Sequence, residues 1–206
     1  MATSGGSWRS VGAGMSDGVS DRRRILVAGR EVLDAEGLGA GLGSIALRAG
    51  LDVATVQDAY PEVAAVVRDL VADFFEKCLE MAEAASEHGG DAYDRYIFAC
   101  AELSAETPQI SVWAQMLRED DVLAMVNQVV DKAYDLLVQA QLHGRIRADI
   151  QRSDLDGIQR TMARLITITG DAAPVARRRW LALMLAGMRP GSEALEPPAV
   201  PAPPTN

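Results

Sequence analysis

The chain has 206 residues, 49% of them hydrophobic, and a formal net charge of −9 from 20 Lys and Arg against 29 Asp and Glu. It is long enough to bury a real core and to hold one or two small domains. No run of about 18 apolar residues occurs, which excludes a transmembrane helix, and no basic segment followed by an apolar stretch marks a secretion signal, so a cytoplasmic protein is expected.

Aromatic residues make up only 5% of the chain, while alanine and leucine are abundant, which favours helices. Residues 1–20 are rich in Gly and Ser and lack periodicity. They are expected to form a flexible arm, with Met15 an alternative start. The first helix is predicted from Asp21, as its cap, to Glu36, with Ile25, Ala28, Val32 and Leu33 on one apolar stripe. Arg22, Arg23 and Arg24 sit at its N-terminal end, where the helix dipole slightly disfavours cations. That placement fits a phosphate partner and equally an ordinary solvated face. The connector from Gly37 to Gly43 lacks a preceding strand, the GxGxxG spacing and a following Lys-Ser/Thr, which excludes a nucleotide loop.

The stretch from Gly43 to Tyr60 organises the rest. Ile45, Ala46 and Ala49 make the inner face of a short helix, and Gly50 supplies the left-handed residue that ends it. Leu51 is expected as a buried plug in the turn, and Asp52 as the N-cap of a second helix through Thr55 and Val56. Helix, short turn and helix with this spacing is a helix-turn-helix, whose second helix enters the DNA major groove.

From Pro61 a long helix is predicted to about Ser86, with Leu70, Phe74, Cys78 and Met81 recurring at helical spacing, and with Gly89 and Gly90 past its end. His88 has no His or Cys at ligand spacing, so no metal site is expected. Cys78 and Cys100 lie inside helical patterns and fit no metal or redox spacing, so buried, reduced thiols are expected. Further helices follow: one capped by Asp91 and ending before Pro108, a shorter one around Trp113, and one from Asp120 or Asp121 to His143 and Gly144. Two more begin at Ser153 or Asp154 and at about Pro174. Residues 190–206 are mostly proline and small side chains and cannot bury enough apolar surface to offset their ordering entropy, so a disordered tail is expected. The fold class is therefore all-α, with about nine helices.

Arg24, Ile25, Leu26, Ala28, Val32, Leu33 and Gly37, then Ile45, Ala46, Ala49, Gly50, Leu51, Thr55, Val56, Tyr60 and Pro61, resemble the N-terminal domain of the TetR family of transcriptional regulators. The resemblance covers about residues 21–70. A second, shorter one joins Ala140, Gly144, Arg147, Asp149, Asp154 and Leu155 to the ligand-binding domain of a TetR subgroup. The resemblance implies a three-helix DNA-binding head over 21–65 and a helical ligand-binding and dimerisation body over 66–189. It also implies a homodimer, a double-stranded DNA operator and a small hydrophobic effector, with no cofactor. The DNA-facing residues would be Arg24, Gly43, Ser44, Val53, Thr55, Gln57, Asp58 and Tyr60. The chain departs from the family pattern at Gly41, where Thr is usual, at Gln57, where Tyr is usual, and at Val63 and Ala64, where Lys-Glu is usual. Between Asp21 and Leu70 six Arg face eight Asp or Glu. Phosphate neutralisation supplies most non-specific affinity, so a weakly binding head, an unusual site or a lost DNA activity is expected.

Inward-facing candidates for an effector pocket are Phe74, Cys78, Tyr93, Ile97, Trp113, Met116, Met125, Val129, Tyr134 and Met162, whose aromatic and thioether groups suit a mostly apolar, neutral ligand. The last two helices carry broad apolar faces, which places Leu155, Ile158, Met162, Leu165, Trp180, Leu181, Met184 and Met188 in a four-helix dimer interface. No Ser/His/Asp or Cys/His arrangement is present, and the acidic pairs read as solvated faces, so no catalytic residue is assigned. Two classes remain: a repressor released by a small apolar ligand, and a dimeric helical binding protein that has lost operator recognition.

Overall fold

The computed structural model describes residues 10–114, 117, 119–155, 157–158, 173–191 and 195. Met116, Met162 and Leu165 lie outside the described residues, as do residues 1–9 and most of the C-terminal tail. Helices form throughout the described residues, and no strand occurs among them. The elements are α1 (Ser10–Glu36), α2 (Leu42–Ala49), α3 (Val53–Ala59), α4 (Val63–Ser86), α5 (Ala92–Glu106), α6 (Ile110–Ala114), α7 (Glu119–Leu142) and α8 (Ala173–Gly187). Further helical residues occur at 152–155 and 157–158.

Two compact units share this chain. The first takes in the residues up to Ala72 together with Val112–Leu117; the second takes in Asp73–Ser111 and the residues from Arg118 onward. The division falls inside α4, later than the expected boundary near residue 65, because α4 begins on the core of the first unit. Val66, Val67 and Val71 are fully buried, and Gly29 of α1 lies so close to α4 that an added Cβ would stand 2.8 Å from Val66 Cγ1.

In the first unit α1 packs on α2 and α2 on α3. The expected stripe of Ile25, Ala28, Val32 and Leu33 is buried, as are Ile45 and Ala46 opposite it. Helix α1 begins at Ser10 and not at Asp21, so half of the expected flexible arm is helical. Extending an existing helix adds one hydrogen bond per residue fixed, a much smaller cost than starting one. Asp21 therefore lies inside the helix and accepts from Arg24 at 3.1 Å instead of capping.

The second unit is built on α5, which packs against α7 and α8. Its core joins Cys78, Ala82 and Ala85 of α4, Tyr93, Tyr96 and Leu103 of α5, Val129, Ala133, Leu136, Leu137 and Ala140 of α7, Leu185 of α8, and Met188 just past its end. Helices α5 and α8 run antiparallel: Arg189 pairs with Asp94 at one end and Arg178 with Glu102 at the other. After α7 the chain turns at Gly144 (φ 66°), and Gln141 donates to the carbonyls of Arg147 and Ile150, each at 3.0 Å. The Arg147 guanidinium grips Asp149 with two bonds of 2.5 and 2.8 Å. Asp154 sits in the next helical turn and accepts from the Gln151 N–H at 2.8 Å, which closes that turn from the inside. Leu195 of the expected free tail donates its N–H to Asp149 at 2.9 Å, so the chain at that point is held by a hydrogen bond.

Candidate nucleic-acid interface

Helices α2 and α3 form the helix-turn-helix, and the turn between them is built as the glycine requires. Gly50 is left-handed (φ 63°). Its N–H reaches the Leu47 carbonyl at 3.3 Å, and the Leu51 N–H reaches Ala46 at 3.0 Å, the paired bonds of a Schellman closure. Arg24 of α1 adds a clamp from outside, donating to the carbonyls of Ala49 at 2.8 Å and Gly50 at 3.1 Å. Leu51 is half-buried, less enclosed than a plug. Asp52 has the extended backbone of an N-cap (φ −70°, ψ 146°) but its side chain makes no capping bond.

A single buried residue, Val56, anchors the seven-residue α3. At 100° per residue, Ala54 and Asp58 lie opposite Val56, with Thr55 and Gln57 on the flanks. Val53, Thr55, Gln57 and Asp58 are all exposed, as is Gly43 at the start of α2, while Ser44 is half-buried. These six expected positions therefore gather on α2 and α3.

Two other expected DNA contacts are engaged elsewhere. Tyr60 is buried, its hydroxyl donates to Asp69 at 2.7 Å, and Arg22 lies over its ring with the guanidinium carbon 5.1 Å from the centroid. Burial, then the Asp69 carboxylate, holds the phenol well above its usual pKa, so it stays a neutral donor. Tyr60 thus closes α3 against the start of α4 and presents nothing to a groove. Its position just after a short helix and before a proline looked like a recognition helix end, and only the tertiary contact with Asp69 reveals the packing role. Arg24 is likewise bound to the α2–α3 turn, not held ready for a phosphate.

Arg48 went unnoticed in the sequence, and Arg22 was noted there only with its neighbours as a cation at the start of the first helix. Arg22 pairs with Asp69, and Arg48 pairs with Glu31 across the α1–α2 contact. That hydrogen bond lowers the pKa of Glu31. Beside the pair, a cleft of about 340 Å³ is lined by Ser20, Arg23, Arg24, Val27, Ala28, Glu31, Arg48 and Ala49. Three cations and one carboxylate line its walls. The signal available in sequence was the basic residue in the last turn of α2.

In the second unit, Cys78, Tyr93 and Val129 are buried in the core, with Phe74, Ile97 and Tyr134 partly buried against it and Met125 half-buried. Trp113 is buried and groups with the first unit, the other described candidates with the second. The hydrogen-bonding neighbour Cys100 and burial hold the Cys78 thiol far above its usual range, as an inert protonated group. The Tyr93 hydroxyl is buried with no hydrogen-bond partner among the described residues.

The expected dimer residues divide in two. Leu155, Leu181 and Met188 are buried within one chain, Leu155 and Met188 in the core of the second unit. Ile158, Trp180 and Met184 are half-buried. The apolar groups of α8 that remain open are Val175, 76% exposed, and Leu183, 60% exposed. With Arg179, Ala182 and Ala186 they occupy the opposite stripe of the helix.

An all-helical chain with an N-terminal helix-turn-helix head and a separate helical unit has the fold of the TetR-family transcriptional regulators. No protein-family model matches the sequence, and no curated protein matches it. The structure is similar to a TetR transcription regulatory protein from Mycobacterium vanbaalenii, with a TM-score of 0.63 and 22% identity over 85% of this chain and 98% of that one. It is also similar to a TetR transcriptional regulator from Streptomyces coelicolor (TM-score 0.62, 20% identity, 83% and 99% covered). A third is the TetR-family regulator PfmR from Thermus thermophilus (TM-score 0.65, 16% identity, 81% and 100% covered). Among the described residues no helix is long and apolar enough to cross a membrane.

Proposed function

We propose that the protein is a TetR-like, DNA-binding transcriptional regulator: a homodimer that represses from a double-stranded DNA operator and is released by a small effector held in its body. The observation that carries this reading is α3. Its one inward group, Val56, fastens it to a rigid turn, while Val53, Thr55, Gln57 and Asp58 stay open to a partner. A helix held on one residue and stripped of other packing duties is suited to lie in a major groove. Gln57 can bond adenine in bidentate fashion, and Asp58 can accept from the cytosine amino group.

A second reading is favoured by one specific observation. Arg22, Arg24 and Arg48 are spent on Asp69, Asp21 and Glu31, which leaves the head little positive charge for phosphates. Under that reading the chain is a dimeric helical ligand-binding protein without an operator. An electrophoretic shift assay at low salt with the DNA upstream of its own gene separates the two. A sequence-selective shift that weakens steeply with salt supports the regulator. Absence of any shift, with the dimer intact, favours the binding protein.

A further inference from the structure

Three consecutive arginines, Arg177, Arg178 and Arg179, enter α8. Arg179 is exposed, and Arg178 is paired with Glu102 at 3.0 Å while lying over the Phe98 ring at 5.8 Å. Arg177 turns inward. It is only 3% exposed, and one of its terminal nitrogens donates to the Ala101 carbonyl of α5 at 2.9 Å. Its Nε is buried with no hydrogen-bond partner, and no carboxylate meets the guanidinium among the described residues.

Removing a cation from water without an opposite charge costs several kcal/mol, and buried charges in folded proteins are almost always paired. A backbone carbonyl answers one of five donors and none of the net charge. Burial alone lowers the Arg177 pKa, yet guanidinium does not give up its proton in proteins. The charge therefore stays, with no carboxylate paired to it among the described residues. The planar fork of Arg fits a carboxylate or phosphate through two parallel bonds. Leu103, two residues past Ala101 on α5, and Leu181, one helical turn past Arg177 on α8, are buried and apolar.

We propose that the effector of the second unit is an amphiphilic anion, with an oxyanion head received by Arg177 between α5 and α8 and an apolar body lying in the adjoining core. This rests on the proposed function only for the word effector; the anion site itself is a property of α5 and α8. It revises the expectation of a neutral ligand, because the apolar stripes counted in the sequence did not show which of the three arginines faces inward.

Thermal-shift titrations of the full-length protein without DNA test the site, with decanoate, decyl phosphate and decanol as probes. The expected result is stabilisation by decanoate or decyl phosphate and none by decanol at equal concentration; which anion acts better tells carboxylate from phosphate. Arg177→Met keeps the volume and removes the charge. It should fold, melt no lower than the parent in the absence of probe, and bind the effective anion about a hundredfold more weakly. Arg177→Lys keeps charge without the fork and should fall between. Equal shifts by decanol and the anions, no shift by any of them, or undiminished anion binding in Arg177→Met would each overturn the proposal. No DNA enters these measurements, so a chain that failed to bind an operator would leave them unmoved, and failed titrations would leave the operator assay standing.

Discussion

The Tyr60 hydroxyl donates to the Asp69 carboxylate at 2.7 Å, and Arg22 pairs with the same carboxylate while covering the Tyr60 ring. One phenol, one acid and one guanidinium thus lock the end of α3 to α4. Tyr60→Phe should cost about 1 kcal/mol of stability by denaturant titration, the ordinary net worth of one hydrogen bond. Because the phenol faces inward, the variant should keep the salt slope of DNA binding. A flattened slope would show that Tyr60 reaches a phosphate.

Gly29 is the close-approach residue of the head. An added Cβ would meet Val66 Cγ1 at 2.8 Å, and a valine in a buried helix contact has little room to yield. Gly29→Ala is expected to destabilise by about 1–3 kcal/mol through overpacking, despite the better helix propensity of alanine. Equilibrium denaturation gives the sign directly.

Dimer formation should respond to Leu183 and not to Leu181. Leu183 is 60% exposed on the outer stripe of α8, whereas Leu181 is buried at 2%. Leu183→Asp should give a folded monomer near 22.0 kDa by native mass spectrometry. Leu181→Asp should fail to fold at all, since it puts a carboxylate in the core. A dimer that survives Leu183→Asp would place the interface on another face.

The head offers a gain-of-function test. Gln57 is exposed on α3, and Val63 opens α4. Gln57→Tyr with Val63→Lys should tighten non-specific DNA binding. One new lysine–phosphate contact per subunit steepens the slope of log K against log salt by about 1.8 for a dimer. Asp58→Asn should act in the same direction, because Asp58 lies on the outermost side of α3. An unchanged slope in a folded dimer would favour the binding-protein reading.

Acid stability should depend on Asp149. The Arg147 fork, followed by the Leu195 N–H, pulls its pKa down to about 2. A carboxylate with a depressed folded-state pKa stabilises the fold above its unfolded value, and that contribution is lost as pH falls from about 4 toward about 2. Asp149→Asn should therefore flatten the melting temperature against pH in this window, relative to the parent. An identical acid limb in both proteins would show that the pair contributes nothing to folding.

The all-helical class, the Schellman turn at Gly50 and the buried face of α1 were all legible in the sequence. Each depends on local chemistry: helical spacing of apolar groups, and the left-handed backbone that glycine tolerates. That Thr55, Gln57 and Asp58 face outward was expected from the resemblance to the TetR N-terminal domain, and all three are exposed on α3. What periodicity cannot supply is the identity of the element opposite a side chain. Tyr60 and Arg24 fit the pattern of groove contacts, yet Asp69 and the Ala49 and Gly50 carbonyls lie within reach and claim them. Leu181 and Leu183 are equally apolar and two residues apart, so about 200° of helix rotation separates core from surface. Only the packing of α5 against α8 decided which of the two is buried, and it decided in the same way that Arg177 faces inward while Arg178 and Arg179 remain outside.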